Sequence, residues 1–335
     1  MHVGKSYKLS NFIYWTRRNL YVLLVLGVVP VLLYHLAGLQ WLAIPWTVVA
    51  MLGTATAFIV GFKNSLTYNR TWTAGGIWTN IINGSRAWAI LSRDYLHDPD
   101  ITRVLYNRHF AWLTALRFQL REDRIWEVTD NMANSEYQQY YAIPERQTTV
   151  DAELAKYLQE EDLAYIAAAR NKAAQILSLQ GLHIQALYDN QTILLQQFME
   201  MQRSISNLYT QQGLCESFKN TPYPRQYSIM NTILVRIFCF LLPFGLLHEF
   251  DKLNSTMNGL MKGHMIWLVI PFSVLISWLY TSLEQVGEST ENPFEGSPND
   301  VPISQICRTI EIEMRQMIGD RVLPAPLAPQ NDILV

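Results

Sequence analysis

Charge is scarce in this chain. Asp, Glu, Lys and Arg make up 16% of its 335 residues, against roughly 25% in soluble globular proteins, and that deficit points to a membrane rather than to water. Acidic and basic residues nearly cancel, 28 against 26. The cations are scattered rather than striped along one face, so nothing in the charge pattern calls for nucleic acid. Cysteine is sparse as well. Cys215, Cys239 and Cys307 stand far apart without CxxC spacing, which argues against a disulfide framework or a zinc site and for buried thiols. His97, His109 and His183 lack partners at metal spacing and read as structural or solvated. GxSxG, HExxH, Walker A and GxGxxG strings are missing, so neither an enzyme nor a cofactor is expected.

What the chain does have is long apolar runs. A bilayer core of about 30 Å needs about 20 mostly apolar residues in a helix. Four stretches qualify: Leu20 to Leu39, Leu42 to Phe62, Ile229 to Leu247, and His264 to Leu283. Arg236 lies inside the third; an arginine at a helix centre costs about 2.5 to 3.5 kcal/mol on insertion, so it is predicted to face protein, water or an interface. The first run follows Lys5, Lys8, Arg17 and Arg18 and is too long and proline-interrupted for a cleaved signal peptide. The turn from Ala37 to Trp41 carries no cation. That asymmetry places the N-terminus in the cytoplasm, and four spans return the C-terminus there.

The spans divide the chain into an N-terminal segment with two membrane helices (1–62), a middle region (63–228), two further membrane helices (229–283) and a C-terminal segment (284–335). The middle region has no qualifying span and is predicted to be a mostly helical cytosolic domain. Apolar residues recur at helical spacing through Ile77, Trp78, Ile81 and Ile82, again from Leu154 to Leu177, and from Ile184 to Leu208. Breaks are predicted at His97-Asp-Pro-Asp100, around Asn131 to Thr149, and at Lys219-Asn-Thr-Pro-Tyr-Pro224. Ser92-Arg93-Asp94 and Asp98-Pro99-Asp100 read as caps or turn formers. A last helix is predicted from Val301 to Gly319, capped by Asn299 or Asp300 with Pro302 in its first turn. The proline-rich tail from Asp320 is predicted to be extended or disordered alone, or strapped onto a neighbour in an oligomer.

The second run is the most informative. It passes from Gly53-Thr-Ala-Thr-Ala-Phe-Ile-Val-Gly-Phe62 straight into Lys63-Asn-Ser-Leu-Thr-Tyr-Asn-Arg-Thr-Trp72. Its small residues and threonines suit a helix packed against protein. Thr54, Phe58 and Phe62 sit at i, i+4 and i+8 and drift by only about 40° per step, so they share one face. Two readings follow from that face: the aromatics pack a bundle interior, or they line an ion path. An unpaired charge in a medium of low dielectric costs tens of kcal/mol, so a path needs water or fixed dipoles throughout. Only several chains in a ring could enclose one.

The run Val60-Gly-Phe-Lys-Asn-Ser-Leu-Thr-Tyr-Asn-Arg-Thr-Trp72, with Trp78 and Asn83-Gly-Ser-Arg-Ala-Trp88, resembles the start of the cytosolic part of bacterial bestrophin homologues. Lys219-Asn-Thr-Pro-Tyr-Pro224, Phe240-Leu-Leu-Pro-Phe-Gly245, Glu291-Asn-Pro-Phe294, Asn299-Asp-Val-Pro302 and Arg308-Thr-Ile-Glu311 follow that family's order. The resemblance runs from about residue 8 to about residue 319. It implies an all-α membrane protein with four transmembrane helices and a helical cytosolic domain, assembled as a homopentamer around a central pore in a bacterial inner membrane. Its partners would be itself, the lipid bilayer and permeant inorganic ions, chloride-type anions in most members and monovalent cations in some bacterial ones.

Thr54, Phe58 and Phe62 would then form an uncharged neck, and Asn69, Arg70 and Trp72 would join it to the cytosolic domain. Ile193 and Gln196 are the candidates for the lower constriction that the resemblance implies. Thr71-Trp-Thr-Ala-Gly-Gly-Ile-Trp78 departs from the family's Trp-Trp-Glu-Ala-Arg-type string, so no ion pair is carried over there. Eukaryotic relatives bind calcium through an acidic cluster after the fourth span. The comparable segment here, Glu291 to Asp300, offers few carboxylates for an ion that takes six to eight oxygens. A secondary transporter or a membrane scaffold is the competing reading, although the internal repeats usual in transporters are not evident.

Overall fold

The computed structural model describes residues 1–127, 138–256 and 262–335, with backbone only at 255 and 256; part of the predicted break from Asn131 to Thr149 therefore lies outside the described residues. Among them the structure is helical, and β pairing is limited to isolated bridges at His2, Gln330 and Ile333. The chain divides into two compact units, one of residues 5–69 and 223–291, the other of residues 1–4, 70–222 and 292–335.

The first unit holds α1 (Leu9–His35), the opening part of α2 (Trp46–Leu96), α8 (Arg225–Thr256) and α9 (Val269–Ser289). Helices α1, α8 and α9 pack on one another around Leu23, Val31, Val235, Leu242, Leu247 and Val269. Among the described residues four helices are long and apolar enough to cross a membrane, as the sequence predicts. Helix α1 starts earlier than the apolar run, because the polar stretch carrying Arg17 and Arg18 continues the same helix.

Close approach explains two glycines. A Cβ on Gly53 of α2 would lie 2.7 Å from the Phe238 ring of α8, and one on Gly245 of α8 would lie 2.7 Å from Val49 of α2. The two helices thus interlock, each placing a glycine under the other's bulky side chain. This is the packing that membrane helices use when water cannot drive them together.

The second unit contains the remainder of α2, then α3 (Pro99–Arg121), α4 (Val150–Leu154), α5 (Glu160–Ala167), α6 (Lys172–Asp189), α7 (Leu195–Asn220) and α10 (Ile303–Met317). Its core is built on Trp78, Trp88 and Trp112, all fully buried. The Trp112 indole N–H donates to Gln212 Oε1 at 2.8 Å and the Tyr106 hydroxyl to the Ala89 carbonyl at 2.8 Å. These bonds answer the need of a buried aromatic with a polar handle.

Helix α2 spans 51 residues without a break, about 77 Å at 1.5 Å per residue. No proline interrupts it between Pro45 and Pro99, and its hydroxyl side chains bond back along their own helix, Thr56 to Leu52 and Ser85 to Ile81.

Several local expectations change. Asp98 caps α3 as predicted, accepting from Asp100 and Ile101 with Pro99 in the first turn. Ser92 does not cap anything: it lies inside α2 and donates to the Trp88 carbonyl at 2.8 Å. The cap assigned to Asp300 or Asn299 is also absent. Helix α10 begins after Pro302 without a side-chain cap, and Asp300 instead accepts from the Gly296 and Ser297 amides at 2.7 and 2.9 Å. The period read from Leu154 to Leu177 is divided among α4, α5 and α6, and that from Ile184 to Leu208 between α6 and α7. Asn171, which caps α6 by accepting from Ala174, and the Asp189-Asn190 pair were the available signals.

The tail is extended but docked. Ile333 and Val335 are buried with Tyr141 and Ile143, and Gln330 Oε1 accepts from the Ala142 amide at 2.7 Å.

Candidate functional site

Helix α2 has two unlike faces. Within the first unit, Gly53, Thr56, Val60, Lys63 and Thr67 are buried. They recur at alternating steps of three and four and so form one packed stripe. The Tyr280 hydroxyl donates to the Gly53 carbonyl at 3.1 Å and fixes this side. Opposite lie Met51, Thr54, Phe58, Phe62, Ser65 and Asn69, all exposed in the single chain. Phe58 is 67% and Phe62 54% exposed. Their rings meet edge to face, 4.5 Å between centroids at 73°, and the Thr54 hydroxyl donates to the Ala50 carbonyl at 3.0 Å. The structure therefore brings Thr54, Phe58 and Phe62 together on one uncharged, outward stripe.

Arg70 is fastened at the far end of this segment. Its guanidinium donates to the Thr221 and Phe218 carbonyls at 2.8 and 3.3 Å and lies 5.3 Å from the Phe218 ring. Asn69 and Trp72 are exposed, Trp72 strongly so. Ile193 and Gln196 part company. Ile193, 3% exposed, belongs to the core of the second unit, whereas Gln196 is exposed in the first turn of α7. Arg236 is exposed on α8.

Buried charged groups escaped the sequence reading, among them Lys63 and Arg121 with their partners. Lys63 lies 4.0 Å from Glu291 inside the first unit, with Arg225 on the other carboxylate oxygen at 3.7 Å. In the second unit Arg121 is buried 3.8 Å from both Glu145 and Asp300. Burial lowers the Arg121 guanidinium and raises the Asp300 carboxyl from their ordinary values, and their attraction opposes both shifts. The only sequence signal was position: Lys63 ends an apolar run, and Glu291 and Asp300 stand beside Pro-containing turns. Among the described residues no group of three His, Cys, Asp or Glu is arranged to hold a metal.

The histidines have structural surroundings. His109 is buried against Ser85, Nε2 to Oγ 2.9 Å, and burial lowers its pKa to about 3. His183 Nδ1 lies 2.6 Å from the Arg108 guanidinium, which also pairs with Asp162. Burial pushes the Cys215 thiol up, and that of Cys307 up to about 12.

A profile described as Bacterial/Fungal Bestrophin protein matches residues 13–316. The chain belongs to the bestrophin family. Among its relatives, this bestrophin is 26% identical over 299 residues to the voltage-dependent anion channel-forming protein YneE of Escherichia coli (strain K12), covering 89% of this chain and 84% of that one. A voltage-dependent anion channel-forming protein of Nostoc sp. is 26% identical over 278 residues, 81% of this chain and 76% of that one. A bacterial bestrophin homolog from Klebsiella pneumoniae has the same fold, with a TM-score of 0.73 at 24% identity over 92% of this chain and 99% of that one. Family membership and four apolar helices make the protein an integral membrane protein.

Proposed function

We propose that five copies of this bestrophin assemble around one axis as a channel for chloride-type anions, with the exposed stripe of α2 lining the pore. The observation that carries this reading is the stripe itself. It is uncharged, it carries Phe58 and Phe62, and its own unit leaves it uncovered in a chain whose relatives are named anion channel-forming proteins. Ringed around an axis, Phe58 and Phe62 form a neck that gates by dewetting. Ring edges are electropositive and ring faces electronegative. Turned edge-on, the phenylalanines favour an anion without binding it tightly, and Thr54 supplies hydroxyls beside the neck.

The lower constriction is assigned to Gln196 rather than Ile193, whose side chain is committed to the core. Asn69, Arg70 and Trp72 form the junction below the neck. The channel lies in a bacterial inner membrane with both termini in the cytoplasm, as the cations ahead of the first span favour.

The test is current through the purified full-length protein in planar bilayers. Unitary currents that reverse near the chloride equilibrium potential in asymmetric NaCl are expected. Reversal near the sodium potential would overturn the choice of anion in favour of the monovalent cations that some bacterial members pass. Saturable flux without unitary events would point to a secondary transporter, and no flux at all to a scaffold.

A further inference from the structure

A cavity of about 170 Å³ lies within the second unit. Helices α3 and α10, helix α4 and the segments on either side of it wall the cavity, and Leu327 of the extended tail contributes from the C-terminal side. At this size the cavity falls below the roughly 300–1,000 Å³ of drug-sized sites and has room only for a small molecule.

The lining mixes aromatic and charged groups. Phe110 and Tyr157 meet edge to face at 5.9 Å and supply an apolar surface, extended by Leu327. The lining also carries Arg117, Lys156 and Arg308 together with the carboxylates Glu153 and Glu311, and Glu145 pairs with Arg117.

The carboxylates are well supplied with donors. Glu311 accepts from the Tyr157 hydroxyl at 3.1 Å and from Arg315 Nε at 3.1 Å, and Glu153 accepts from Lys156. Each lining cation has a carboxylate partner, Arg117 with Glu145 and Glu153, Lys156 with Glu153 and Arg308 with Glu311, yet some N–H donors are left over. Arg117 binds Glu145 through one terminal nitrogen at 2.7 Å and lies 3.9 Å from Glu153 through the other, and its buried Nε has no acceptor among the described residues. Arg308 is held by Glu311 at 3.4 Å, a long contact for a guanidinium with five N–H donors. A ligand that enters the cavity can satisfy the buried Arg117 Nε and the partly exposed Arg308 guanidinium. The complementary ligand therefore brings acceptor oxygens with negative charge to Arg308 and Arg117, and an apolar body to Phe110 and Tyr157.

We propose that this cavity is a binding site for a small organic carboxylate with an apolar or aromatic body, about the size of an amino acid. Occupancy couples to the tail, because Leu327 lines the cavity and Arg315 joins the two. The Arg315 guanidinium lies over the Phe110 ring at 5.1 Å while it pairs with Asp320, where the tail begins. Ligand in the cavity thus holds the 320–327 segment against α10. The inference does not depend on the channel reading, since binding is measured without current.

Benzoate and its neutral isostere benzamide are the probes, applied to the full-length protein in detergent and followed by calorimetry and ligand-observed NMR. Benzoate is expected to saturate, benzamide is not, and Arg308→Gln is expected to weaken benzoate roughly tenfold, the loss of one charge-assisted hydrogen bond. Arg308→Lys should restore part of the affinity. Proteolysis in the 320–327 segment should slow when benzoate is bound. Absence of saturable benzoate binding at millimolar concentration, equal binding of benzamide, or unchanged affinity in a folded Arg308→Gln protein would each overturn the proposal. Should that variant not fold, the comparison of the two probes on the unaltered chain still decides it.

Discussion

At the scale of the residue, Phe58, Phe62 and His109 carry the sharpest expectations. Phe58→Ala and Phe62→Ala each remove a ring from an exposed face, so neither leaves a buried cavity, and fold stability should change little. If the rings narrow a neck, each variant raises basal conductance, read as unitary current amplitude and open probability in planar bilayers. Equal conductance and selectivity in both would remove the neck from this face.

His109 makes the opposite kind of prediction, about stability and not transport. Its pKa falls from 6.5 to about 3 on burial, so the unfolded chain binds the proton first. Its contribution is complete above about pH 6.5 and is lost progressively as pH falls toward 3. Thermal melts across that window should show a decline that His109→Gln flattens.

The placement of Phe58 and Phe62 on one face was legible from their spacing alone. That of Ile193 was not, because an isoleucine beside a turn has the same neighbours in sequence whether it points into a core or out of it.

At the scale of the element, the decisive object is α2. Its apolar half and its polar continuation were both readable, and so was the absence of proline. Composition could not say which glycine answers a close contact. Gly53 faces the Phe238 ring while Gly61 meets nothing within 4 Å. Gly53→Val should therefore lower the thermal midpoint in detergent by the equivalent of about 1–3 kcal/mol of overpacking. Gly61→Val should not. Phe238→Ala should recover part of the loss in the Gly53→Val background, since the two sites share one contact. The helix breaks inside 154–208 were hard to see for a related reason. Asparagine caps and short connections leave the apolar period almost undisturbed, so periodicity alone joins helices that the backbone separates.

At the scale of the whole molecule, function is expected to belong to an assembly. A single exposed stripe of methionine, threonine and phenylalanine has no means of solvating an ion in a bilayer, whereas a ring of stripes encloses water. Native mass spectrometry of the detergent-purified protein should give five copies of the 38.7 kDa chain. A monomer or dimer as the largest species would overturn the pore reading together with its neck.

By itself the sequence determined the membrane character, the four spans, the helical class and the family, because these depend on composition, run length and motif order. Its mostly helical middle region was legible for the same reason. Only the tertiary structure decided which side of α2 is packed and which is left open. It also decided that Lys63 meets Glu291, that Arg121 lies between Glu145 and Asp300, and that the tail docks through Ile333 and Val335. Each of these joins residues far apart in the chain. A buried charge needs its partner within a few ångströms, and linear order does not record that distance.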